Sequence, residues 1–271
     1  MTDGKRDVAE KLVEAIRIDP CSFYRNHWNT KERFETLPVV RREHFVATPL
    51  TGRTYREEKG LVKIVKNGPA PFLVQWGLSD LSKEIYGTAC NRPMVLLSDP
   101  HEALEKALWF YERNTLPLIG ESNNLPIAAF AAHKYGIDAI VSDEDILFPF
   151  VTFFGKECDV KGVQLTLIGS GFSVERLQVA RNLFQNMRLV LALPETGAFA
   201  ESCPGLLGKG EYAYHPDENS VIEIIGGRLV ITKLPFLITP IIRYDTALEA
   251  ETAVSTEACL CNKELFILKH T

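Results

Sequence analysis

The chain has 271 residues, 46% of them hydrophobic and 24% charged, with a net charge of −5 at pH 7. This is ordinary globular composition, enough for one large domain or two small ones. The acidic balance excludes a nucleic-acid or anionic-membrane surface, since phosphate binding needs clustered Lys and Arg; the one dense basic cluster, Arg41-Arg42 with His44, holds Glu43 inside it and reads as a solvated face.

Met1 to Arg17 is charged throughout and has no apolar core, so no secretory leader is expected. Val8, Leu12, Val13, Ala15 and Ile16 have helical spacing, and Asp19-Pro20 stops the helix. In the irregular stretch that follows, Phe23, Tyr24, Trp28 and Phe34 read as anchors onto a larger body, and "ATPLTGRTYREEKG" as exposed turns. "LVKIV" and "FLVQW" are predicted strands around the turn "NGPAP", and "SDLSKEIYG" a helix between Ser79 and Gly87. Strand and helix then alternate: "PMVLLS", a helix from Asp99-Pro100, "LPLIG", "LPIAAFAAHKYG", "DAIVS", "DEDILFPFVTFF", "VQLTLIG", "SVERLQVARNLFQN" and "RLVLAL". Most of these strands are apolar on both faces. The expected class is therefore α/β, a mostly parallel sheet with helices on both faces.

Past Glu195 the helical period disappears. "SVIEII" and "RLVITKL" form a hairpin through Gly226-Gly227, and "PIIRYDT" is another strand, giving a small antiparallel β unit near the C-terminus. The tail from Leu248 carries the apolar run "LFILK", an edge-strand candidate. The predicted layout is an N-terminal helix and packing segment (1–60), an α/β core (61–200), an antiparallel subdomain (201–250) and a tail (251–271). The longest apolar stretch, Val221 to Ile242, is interrupted by Glu223, Arg228 and Lys233 and by prolines, so it does not read as a membrane span. The six cysteines read as reduced structural thiols of a cytoplasmic protein. Cys259 and Cys261 make a lone Cys-x-Cys, too little for a zinc site without two more ligands nearby.

Four stretches fall where such a sheet offers backbone to ligands. Gly169, Ser170 and Gly171 sit between a strand and the helix opened by Ser173, a place for a phosphate or base edge, or a plain tight turn. Glu195, at the end of "RLVLAL" and followed by Thr196, is either an oxygen ligand for Mg²⁺ or a loop acid. In "IIRYDT", Arg243 can meet phosphate or carboxylate and Asp245 a ribose hydroxyl, or the two simply pair on an edge strand. "VKNGPAPF" has a single glycine, two prolines and no hydroxyl, and reads as a hairpin turn. Nucleophile elbow, Walker A, His-Glu-x-x-His and Gly-x-Gly-x-x-Gly patterns are all missing from the sequence.

The order of these pieces resembles the large N-terminal part of the adenylate-forming enzymes, nearest the phenylacetate–CoA ligase branch. The likeness runs collinearly through "SFYRNHW", "FETLPVVRREHF", "GPAPFLVQWGLSDL", "VQLTLIGSGFSVERLQVARNLF", "LALPETGAFAESC" and "GGRLVITKL…PIIRYDT". It implies ATP and Mg²⁺ as cofactors, attack of a small carboxylic acid on the α-phosphate, and acyl transfer to a thiol. It also implies that Glu195 holds the metal, that Gly169, Ser170, Gly171 and Thr196 border the nucleotide, and that Arg243, Tyr244, Asp245 and Thr246 lie near the ribose.

The sequence departs from that pattern at several ligands. The phosphate loop falls on "KNGPAP", the aromatic before the Glu on Leu191, the phosphate-binding Thr on Pro194 and the ribose-clamping Asp on Leu248, with Glu249 one residue off. Only about twenty residues follow this region, so the C-terminal domain that carries the catalytic Lys is expected from a partner chain or not at all. The reading is a degenerate AMP-binding, acyl-CoA ligase-like domain with a residual binding or structural role. The alternatives are an active minimal acyl-adenylate-forming ligase or acyltransferase, and an unrelated α/β nucleotide-binding protein.

Overall fold

The computed structural model describes residues 3–18, 22–28, 33–54, 60–66, 70–77, 90–156, 158–234, 238–253, 259, 261 and 263–269. The helix predicted at Ser79 to Gly87 lies outside them. The chain forms two compact units, one of residues 1–83 with 193–271 and the other of residues 84–192.

The first unit begins with helix α1 (Asp3–Ile18), whose apolar stripe buries Ala9, Leu12, Val13 and Ile16. Short helices α2 (Ser22–His27), α3 (Arg42–Ala47) and α4 (Leu50–Arg53) and a 3₁₀ turn at Phe34–Thr36 follow. The anchors Phe23, Tyr24, Trp28 and Phe34 are all buried, each large ring contributing on the order of 2 kcal/mol by leaving water. Tyr24 also donates its hydroxyl to the Pro240 carbonyl at 2.7 Å and accepts from the Ile242 amide at 3.1 Å, tying the N-terminal segment to a stretch over 200 residues away. The region read as exposed turns contains a buried residue, Arg53. Its guanidinium packs over the Phe45 ring and its Nε bonds the Thr48 carbonyl, and the stem fills apolar space. Strands β1 (Gly60–Val65) and β2 (Phe72–Gly77) pair antiparallel. Val65, Phe72, Val74 and Trp76 join the same core.

The second unit is the alternating one. Its elements are β3 (Pro93–Leu96), α5 (Pro100–Tyr111), β4 (Leu118–Ile119), α6 (Leu125–Tyr135), β5 (Ala139–Ser142), α7 (Glu144–Phe154), β6 (Gln164–Gly169), α8 (Val174–Leu183) and β7 (Asn186–Leu193). The strands are parallel in the order β7-β6-β5-β3-β4. Asp99 and Ser173 open helices as the sequence suggested, and Asn124 and Asp143 do the same. Asp99, Asn124, Asp143 and Ser173 accept from amides of the first turns, and Gly136 closes α6 at φ 66°. Strand β4, two residues long, lies at the sheet edge, paired on one side alone.

The chain then returns to the first unit through β8 (Gly197–Ser202), α9 (Pro204–Lys209), β9 (Tyr214–Pro216), β10 (Ser220–Ile225), β11 (Arg228–Lys233), β12 (Tyr244–Thr252) and β13 (Phe266–Leu268). Here neighbours are antiparallel, in the order β10-β11-β12-β13-β9-β8. The predicted hairpin is present, with Gly226 and Gly227 at φ 59° and 78°. Two expectations change. "PIIR" is not strand: Arg243 sits at φ 47°, and β12 starts at Tyr244. The tail strand β13 is not at an edge but lies between β12 and β9, because Phe266 and Leu268 are buried there. The fold class is α/β, a parallel sheet flanked by helices with an added antiparallel part.

Candidate functional site

Of the residues singled out by sequence, Glu195, Thr196, Arg243, Tyr244, Asp245 and Thr246 lie in the first unit, and Gly169, Ser170 and Gly171 in the second.

Glu195 follows β7 in a three-residue turn that ends at Gly197 with φ 67°. The turn buries the acid to 6% exposure. Tyr244, at the start of β12, donates its hydroxyl to Glu195 Oε1 at 2.8 Å. Burial and the adjacent carboxylate push the Tyr244 phenol well above its ordinary value, so it stays a donor. Thr196 is fully buried and turns its hydroxyl to the Gly197 carbonyl at 3.1 Å.

Arg243 is 6% exposed. Its Nε and Nη2 bind Glu223 in a fork, at 3.0 and 3.1 Å, and Nη1 donates to the Leu37 carbonyl. The backbone holds it in place as well: its amide donates to Thr232 Oγ1 at 2.8 Å and its carbonyl accepts from Val40. A non-glycine residue at positive φ persists only where surrounding contacts over-determine it, and these do. Burial holds the Glu223 carboxyl above its usual range, against the pull of Arg243. Asp245 accepts from Arg228 Nε at 3.0 Å and from the Ala247 amide at 2.9 Å. Thr246 donates to the Leu229 carbonyl and accepts from the Leu248 amide.

The expectation that Arg243 and Asp245 pair on an edge strand is thus corrected. Each has its own partner, Glu223 and Arg228, because Arg243 lies before β12 at φ 47°, outside the strand that carries Asp245. Arg41-Arg42 is also not simply a solvated face. Arg42 lies over the Phe72 ring at 4.7 Å and donates to the Ala70 carbonyl at 2.9 Å. Glu223 and Arg228 were missed as partners of Arg243 and Asp245. For Glu223 the one sequence signal is an isolated charge in an apolar run, "SVIEII".

In the second unit, Ser170 and Gly171 are exposed at the end of β6, and Gly169 is half-buried. A methyl on Gly169 would stand 3.3 Å from both the Gly171 carbonyl and the Phe172 ring, so that glycine serves a close approach. The amide of Ser173, at the start of α8, is already taken by the Glu144 carboxylate at 3.0 and 3.1 Å. Burial raises the Glu144 carboxyl, more than this amide bond lowers it. A protein carboxylate therefore occupies an amide that the sequence offered to a ligand.

Mg²⁺ requires a near-octahedral oxygen set and keeps several waters. A buried Glu195 held by a phenol, a Thr196 hydroxyl turned to backbone and Pro194 in the hydroxyl position do not supply that set. The "KNGPAP" loop lies in part outside the described residues, at 67–69.

No family model matches the sequence, and no curated protein does. Solved structures do match. A 2-hydroxyisobutyryl-CoA ligase in the postadenylation state, in complex with 2-HIB-AMP, superposes with a TM-score of 0.69 at 11% identity, over 99% of this chain and 67% of that one. The o-succinylbenzoate–CoA synthetase of Bacillus subtilis, in complex with ATP and magnesium ion, gives 0.56 at 11% identity over 76% of this chain and 49% of that one. A long-chain-fatty-acid–CoA ligase of Archaeoglobus fulgidus gives 0.51 at 14%, over 68% and 44%. The chain thus has the fold of the adenylate-forming acyl- and aryl-CoA ligases, and spans about half to two thirds of their length. Among the described residues, no helix is long and apolar enough to cross a membrane.

Proposed function

We propose that the chain is a degenerate AMP-binding, acyl-CoA ligase-like domain that keeps a binding or structural role and lacks full acid–CoA ligase activity. One observation carries this reading. The side chains that the resemblance assigns to metal and ribose are consumed by the protein itself: Glu195 by Tyr244, Arg243 by Glu223, Asp245 by Arg228, and Thr246 by the Leu229 carbonyl. Pro194 and the hydroxyl-free "KNGPAP" loop remove further phosphate contacts. Each such loss costs about 1–3 kcal/mol, and several together remove tight nucleotide binding. Calorimetric titration with Mg·ATP is therefore expected to give no binding tighter than millimolar. Micromolar affinity would overturn the reading.

Retention of Glu195, Arg243 and Tyr244 supports a second reading: a minimal acyl-adenylate-forming ligase or acyltransferase that uses ATP and Mg²⁺ on a small carboxylic acid, its catalytic Lys supplied by a partner chain. That reading requires Tyr244 to release Glu195. Hydroxamate trapping over a panel of aryl and short-chain acids decides it, and product with any acid would establish the activity.

A further inference from the structure

Away from the candidate nucleotide site, three sulfurs and one imidazole of the first unit meet. Cys203 follows β8 and opens α9, His215 is the middle residue of β9, and Cys259 and Cys261 lie between β12 and β13. Their donor atoms all lie within 4.8 Å of one another. Cys203 Sγ is 3.3 Å from Cys259 Sγ and 3.9 Å from Cys261 Sγ, and His215 Nε2 is 3.3 Å from Cys259 Sγ. The cysteines are free thiols. A tetrahedral Zn²⁺, with Zn–S of about 2.3 Å and Zn–N of about 2.0 Å, sets its ligand atoms about 3.5–3.8 Å apart. The observed separations straddle that range.

A second observation concerns the imidazole. His215 Nδ1 lies 2.7 Å from the Glu264 carbonyl, which can only accept, so Nδ1 carries the proton. Nε2 is left with its lone pair, facing the sulfurs. This is the tautomer and the outer contact that a metal-bound histidine uses. Burial adds a third. Cys203, His215 and Cys259 are 0%, 3% and 5% exposed, packed with Leu206 and Ala213 and flanked by Leu265 and Ile267, while Cys261 forms the exposed corner. Thiols offer one another only weak hydrogen bonds, so such a group without a metal gains little from being gathered there.

We propose that Cys203, His215, Cys259 and Cys261 form a structural Zn²⁺ site that fastens the connection between β12 and β13 to the end of β8 and to β9. Three thiolates and an imidazole select a borderline-soft ion over Mg²⁺ or Ca²⁺. Four protein ligands complete the tetrahedron and leave no position for a substrate, so the site is structural and not hydrolytic. On binding, the thiol protons pass to solvent and His215 enters neutral. The site is independent of any nucleotide chemistry. It also explains how β13 is kept between β12 and β9 although it is only three residues long. The sequence displays only the Cys-x-Cys half, because the fold brings the other two ligands from 56 and 44 residues away.

The full chain, expressed with added zinc and purified under reducing conditions without chelator, is expected to hold about one Zn²⁺ per chain by elemental mass spectrometry. Stripping the ion should lower the thermal midpoint by several degrees, and Zn²⁺ but not Mg²⁺ should restore it. Co²⁺ added to the stripped protein should give the intense visible bands of a tetrahedral site and a near-ultraviolet thiolate charge-transfer band. Loss of an outer-shell partner alone weakens metal sites by about 10–100-fold, so Cys261→Ser should weaken retention against a chromophoric chelator at least that much. Should that variant fail to fold, the Co²⁺ spectrum of the unaltered chain still decides. No zinc retained after reconstitution and gel filtration, or an octahedral Co²⁺ spectrum without charge transfer, overturns the proposal.

Discussion

In the unit of residues 84–192, polar side chains at strand ends stay partly in water and serve nearby amides: Asp143 caps α7 and holds the Ser98 amide at 2.6 Å, and Glu144 holds that of Ser173. In the other unit, the polar side chains of the candidate site are taken inward and bonded in buried surroundings. Arg243 reaches Leu37 and Glu223, and Glu195 reaches Tyr244. The difference teaches where this chain has spent its charged groups. Those at the strand ends of the alternating unit bond amides at the edge of solvent, where water can replace a lost contact at smaller cost. Those of the first unit hold distant segments together, and removing one partner strands the other in low dielectric.

The most severe test of this contrast is Glu223→Ala. It leaves the Arg243 guanidinium buried without its fork, and is expected to destabilise the chain by about 3–5 kcal/mol in urea unfolding. A loss under about 1 kcal/mol would mean that the pair is not structural. Tyr244→Phe removes one hydrogen bond to a carboxylate and should cost about 1.5–3 kcal/mol while leaving the Mg·ATP titration as flat as before. If that variant instead gains nucleotide binding, Tyr244 is a plug over a competent acid. The smallest effect is expected in the other unit. A methyl on Gly171 meets nothing within 4 Å, so Gly171→Ala should shift stability by no more than about 0.5–1 kcal/mol, in the stabilising direction if at all. A large loss there would show that this turn depends on its glycine as the first unit depends on its charges.

How much could be read from the sequence follows the same division. The helix starts at Asp99 and Ser173, the helix end at Gly136 and the hairpin at Gly226-Gly227 are signals of a few adjacent residues, and they fall where they were predicted. The buried role of Arg53 and the separate partners of Arg243 and Asp245 were not legible, because each depends on a surface supplied by another element. Strands β8 and β9 were missed for a related reason: "GAFAES" and "YHP" are short and carry no clear alternation, and they are strands because neighbours pair with them.

By itself, then, the sequence determined the α/β alternation, the helix ends and the collinear likeness to the CoA ligases, all of which are written in local periodicity, capping chemistry and order. The tertiary structure alone decided which charge meets which, that Glu195 faces a phenol, and that two cysteines of the tail find a third and a histidine. Those pairings depend on burial and on distances through space, and neither quantity is a property of neighbouring residues along a chain.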